Sequence, residues 1–102
     1  MNSERRKILH LAAVFACNFT NHLYTLSAQL LEENELDFDL LRPLILETAE
    51  KVQLHNPMEV QTGPAIRGDE KTLTKHNELL VNKPQLLKLY QILSDSIKGM
   101  RA

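Results

Sequence analysis

A chain of 102 residues is long enough for one domain with a core of its own and short enough to gain from a partner. Hydrophobic residues make up 43% and charged residues 25%, and a formal net charge of -1 gives no electrostatic case for nucleic acid or an acidic membrane surface. A single cysteine, Cys17, excludes an intrachain disulfide and fits a reducing cytosol, so a cytoplasmic location is expected.

In chain order, Ser3 followed by Glu4 is a reasonable helix start, with the acid against the positive end of the dipole. No proline or glycine occurs from Met1 to Arg42, which predicts one long helix from about Glu4 to about Glu33. Ten of the twelve residues from Ile8 to Phe19 are apolar, so this helix is expected to be the central mast, with Cys17 as inert core. The run is broken by His10 and Asn18 and stops at Thr20-Asn21-His22, too short and too polar for a membrane span. No small-residue cleavage site follows it.

Asn34 to Asp37 reads as a polar connection, after which Asp37 or Asp39 caps a second helix with Pro43 in its first turn. Leu41, Leu44, Ile45, Thr48 and Val52 follow helical spacing and mark its expected buried stripe. His55-Asn56-Pro57 ends it. The stretch from His55 to Gly68 is long for so small a domain, yet Met58, Val60, Ala65 and Ile66 argue for packing, with a single helical turn near Ala65 to Arg67. Asp69 caps a third helix reaching about Val81 or Asn82, striped by Leu73, His76 or Asn77, and Leu80. Pro84 opens a fourth, striped by Leu86, Leu89 or Tyr90, Leu93, Ile97 and Met100 and closed by Gly99 with Lys98 and Arg101. The expected fold class is all-α, a bundle of four main helices forming a single domain over residues 1–102.

Two stretches carry candidate chemistry. On a wheel of about 100° per residue, His10, Cys17, Asn18, Asn21, His22, Thr25 and Gln29 share one arc of about 140°. Amides and imidazoles, in place of the lysines and glutamates of a solvated face, offer donors and acceptors without burying charge. The arc either faces a ligand or lines a groove satisfied by loop backbone or a second copy of the chain. The other stretch is Gln61 to Asp69, the one non-periodic segment, where Gly63-Pro64 forces a bend and Gly68-Asp69 makes a second stop before a helix start. Thr62, the backbone amides around Gly63 and Gly68, and Arg67 could hold a carboxylate or phosphate. Arg67 as a structural ion pair and Asp69 as a cap are the structural alternatives. The Arg67-Gly68-Asp69 triplet spells an adhesion motif, a match near chance at this length.

Other chemistry is set aside. The four histidines lack metal-ligand spacing, one cysteine cannot complete a thiolate site, and no G-x-S-x-G elbow occurs. Gly63 and Gly68 do not form a dinucleotide fingerprint, and no strand precedes them.

The segments from His10 to His22, from Leu41 to Leu44, and from Gln61 to Asp69 together resemble an uncharacterised helical C-terminal domain. In bacteria it follows a Rossmann domain in proteins named as NADP-dependent oxidoreductases. The resemblance runs from about Arg6 to the end. The arrangement is similar to the helical C-terminal domains of pyrroline-5-carboxylate reductase and 6-phosphogluconate dehydrogenase. It implies a domain that contacts a small-molecule substrate and forms a homodimer, while the Rossmann domain holds NADP. By this resemblance Asn18, Asn21 and His22, and Thr62, Gly63, Pro64, Arg67 and Asp69, line the cleft that faces the nicotinamide; it names no catalytic residue and no metal. The Rossmann half is absent from this sequence, so the chain alone is not expected to catalyse. The rival reading is a structural homodimerisation module, or a helical protein-interaction domain, without ligand.

Overall fold

In the computed structural model, which describes residues 1–101, Asn2 rather than Ser3 starts the first helix, accepting from the Arg5 N–H through its side chain at 2.8 Å. The helix runs as α1 (Ser3–Ala13), a π-helical turn (Val14–Phe19) and α2 (Thr20–Glu33). It ends in a left-handed turn: Glu35 takes φ 58°, its N–H reaches Glu32 O at 3.1 Å, and Leu36 N–H reaches Leu31 O at 2.8 Å. These paired bonds satisfy carbonyls that the last helical turn leaves open. Asp37 caps a short 3-10 turn (Phe38–Leu40), not the next helix. Asp39 pairs with Arg42 at 2.6 Å, and that guanidinium lies 5.0 Å from the Phe38 ring centre. Then α3 (Arg42–Leu54) begins, with Pro43 in its first turn as expected.

The chain divides into two compact units, the first from Met1 to Glu50 and the second from Lys51 onward. The first unit has no buried residue. This overturns the expectation of a central mast, because no element of the unit covers α1: Ile8 is 64%, Leu9 58%, Phe15 63% and Phe19 51% exposed. Cys17 is exposed as well, not inert core. The α3 stripe is also less covered than its spacing predicts, with Leu44 57% and Val52 44% exposed. Leu41, Leu44, Ile45 and Thr48 instead face Thr20, Leu23, Tyr24 and Ser27 of α2 across an open apolar groove of about 280 Å³.

The second unit has a core. Asn56 caps a 3-10 turn (Pro57–Val60), after which come α4 (Pro64–Arg67), α5 (Glu70–Leu79) and α6 (Pro84–Lys98). The single turn expected within the long connection is α4, and it packs on both α5 and α6. Ala65, Leu73 and Leu80 are 4%, 4% and 7% exposed and form the buried centre. Pro84 starts α6 as its position predicts. Leu93 and Met100, expected in the α6 stripe, are 41% and 63% exposed. Among the described residues there is no strand, so the all-α class and the four main helical segments stand as read.

Candidate functional site

The loop of the second unit is built by backbone geometry first. Gly63 takes φ 103° and ψ 171°, a conformation essentially reserved for glycine, which turns the chain into Pro64 at the first position of α4. Gly68 takes φ 67° and ends α4: its N–H reaches Ala65 O at 3.2 Å, and the Asp69 N–H reaches Pro64 O at 2.9 Å. The loop is therefore a pair of fixed corners around a buried alanine, and it carries the core as well as any site.

Asp69 performs the capping role foreseen for it. Its Oδ1 accepts from the Thr72 N–H at 3.1 Å and its Oδ2 from the Thr72 hydroxyl at 2.7 Å. These Thr72 bonds hold the carboxyl below the usual carboxylate range, helped by the nearby Arg67 and Lys71 charges and opposed by partial burial. The carboxylate is thus an acceptor that stays ionised, and the stability it lends is present above its ordinary value of 3.8 and lost as pH falls through the lowered one. Arg67 reaches Asp69 Oδ2 only at 3.8 Å and remains 60% exposed, so this ion pair is weak and the guanidinium keeps most of its donors for water or a ligand. Thr62 is exposed; its carbonyl accepts from the Gln61 amide at 3.1 Å, and its hydroxyl has no partner among the described residues. The Arg-Gly-Asp triplet is locked as a helix-to-helix junction.

Beside the loop, Pro57, Met58, Gln61, Ile66, Ile97 and Met100 line an apolar concavity of about 290 Å³. On the α5–α6 seam the His76 Nδ1 and the Tyr90 hydroxyl lie 2.7 Å apart, with their rings edge-to-face at 5.6 Å. Burial pushes the Tyr90 phenol above its usual value, against a Ser94 hydrogen bond and the Lys98 charge. One residue along, Gln91 donates to Asn77 Oδ1 at 3.2 Å. Helical spacing read His76 and Asn77 as alternatives within an apolar stripe; both are polar clasps. The only signal for this was their spacing of fourteen residues from Tyr90 and Gln91, which periodicity within one helix does not reveal.

The polar residues of the first helix belong to the first unit. Asn18 lies in the π turn, and Asn21 and His22 in the first turn of α2. All three are exposed, and their side chains make no hydrogen bond or ion pair among the described residues. The π turn leaves the arc of seven in place. It winds in about one extra residue, so positions after it fall back by about 100° relative to a uniform wheel. Set back by that amount, Asn21, His22, Thr25 and Gln29 still share a face with His10. π turns recur at functional sites, and Asn18 lies in this one, a turn before Asn21 and His22.

The model of the family described as a domain of unknown function, DUF2520, matches residues 1–97. This chain belongs to that family. It is similar to a solved structure, the crystal structure of a “putative NADP oxidoreductase” from Bacteroides fragilis, with a TM-score of 0.94 and 52% sequence identity. The match covers 97% of this chain and 38% of that one, so the chain spans well under half of its length. No curated protein matches. The family resemblance read from the three sequence segments is thus correct, and it ties the family's helical domain to a longer chain so described.

Proposed function

We propose that this chain is the substrate-binding and dimerisation domain of an NADP-dependent oxidoreductase, acting with a Rossmann domain. The observation that carries this reading is the 52% identity, over nearly the whole chain, to part of a longer protein described as an oxidoreductase of that kind. NADP, when bound, supplies or accepts the hydride. The described residues have no strand leading into a glycine-rich turn, so they offer no pyrophosphate cradle, and the cofactor would be held by the partner domain. In this reading the exposed, unpartnered Asn18, Asn21 and His22 of the first unit are substrate contacts, and so, within the second unit, is the free hydroxyl of Thr62. Gly63 and Pro64 fix the loop, Arg67 holds an anionic group, and Asp69 steadies Arg67. The apolar face of α1 joins a second copy of the chain.

The test supplies the parent Rossmann domain, fused or in trans, and titrates NADPH by calorimetry with and without this chain. Tighter NADPH binding with the chain present, weakened by Arg67→Ala, supports the reading; unchanged affinity and no association with the Rossmann domain contradict it. The exposed face of Ile8, Leu9, Phe15 and Phe19 favours a second reading, a dimerisation module without ligand. Alanine at Asn18 and His22 separates the two, since dimer contacts would lose stability and a ligand site would lose little.

A further inference from the structure

By sequence Arg101 is a helix-ending charge, yet its guanidinium reaches the loop at Gly68. A Cβ built on Gly68 would meet Arg101 Nη1 at 2.5 Å, Cζ at 3.1 Å and Nη2 at 3.3 Å. The Arg101 guanidinium therefore occupies the space that glycine leaves open. Arg67, the residue before Gly68, carries a second guanidinium, 3.8 Å from Asp69 Oδ2 and 60% exposed. The acids nearby are already engaged: Asp69 accepts both its hydrogen bonds from Thr72, and Glu70 pairs with Lys98 at 3.1 Å. Arg101 has no carboxylate partner among the described residues.

We propose that Arg67 and Arg101 form a two-arginine site for a phosphate group, set at the Gly68 corner. One carboxylate needs one guanidinium; two point to a group carrying close to two negative charges, which phosphate monoesters do near neutral pH. The site is made by side chains, not a backbone nest, because the N–H groups of Gly68, Asp69 and Glu70 already donate to Ala65, Pro64 and Gly68 carbonyls. Gly68 thus has two reasons to be glycine, its left-handed backbone and the seat it gives Arg101. That the phosphate belongs to the substrate rests on the oxidoreductase reading; the anion site itself does not.

The experiment uses the full chain alone, so its failure is separate from failure of the reconstitution above. Inorganic phosphate is titrated at constant ionic strength while NMR follows the arginine Nε–H and the Gly68 and Asp69 amide signals, with acetate as control. Saturable shifts with phosphate and roughly five- to tenfold weaker binding in Arg101→Gln and in Arg67→Gln are expected. Each variant should melt at the temperature of the parent chain, since both side chains are exposed. Gly68→Ala, where it folds, should weaken phosphate binding by moving Arg101. Shifts that acetate reproduces at equal concentration, shifts that do not saturate, or full binding in Arg101→Gln overturn the proposal.

Discussion

The two units solve the same local problem with different residues. In the first unit the helix ending near Glu33 closes through a left-handed residue, and that residue is Glu35. In the second, α4 closes through the same pair of backbone bonds, and the left-handed residue is Gly68. The contrast extends to packing. The second unit buries Ala65, Leu73 and Leu80 around its short loop helix, whereas the first buries nothing and leaves Ile8, Leu9, Phe15 and Phe19 open. The second unit is organised around itself. The first has an apolar face of the kind that marks an interface.

The largest expected effect lies in the second unit. Leu73→Ala should cost about 3 kcal/mol in denaturant unfolding, as a fully covered leucine loses its contacts and leaves a cavity. Phe15→Ala, at a residue 63% exposed, should leave the unfolding of dilute protein almost unchanged. Equal losses from the two would break the contrast. Gly63→Ala meets nothing within 4 Å of the new Cβ, so its cost is purely conformational, about 1–3 kcal/mol by thermal unfolding. The mirror change in the first unit, Glu35→Gly, relieves a left-handed non-glycine residue and should raise stability by up to about 1 kcal/mol. Tyr90→Phe removes one partly buried hydrogen bond to His76 and should cost about 1 kcal/mol near neutral pH. Because folding raises the Tyr90 pKa, its contribution is present below the ordinary value of 10.0 and lost as pH rises through the raised one. The Phe variant should therefore lack that part of the alkaline loss in a pH series of melting temperatures.

What was legible in the sequence was turn chemistry. Gly63-Pro64, Gly68-Asp69 and Pro84 each permit few backbone conformations, and each stands where it was read. The polar arc was legible as a face but not in its exact angles. A wheel assumes constant rotation, and nothing in Val14 to Phe19 announces the π turn that sets Asn21 and His22 back by about 100° while leaving them on the face of His10. Apolarity told that the Ile8 to Phe19 face wants covering but not what covers it, so the mast expectation failed for the chain by itself. Arg101 over Gly68 and His76 against Tyr90 are contacts between elements, which spacing along one helix cannot carry.

The account turns on the first unit needing a surface from outside it. Sedimentation equilibrium over a wide concentration range, with hydrogen exchange read at both ends, tests this directly. A dimer in which the amides around Ile8 to Phe19 become protected as concentration rises, and in which Phe15→Asp is monomeric with an intact second unit, is the predicted result. A monomer at every concentration, with those same amides already as protected as those of Leu73 and Leu80, would contradict it.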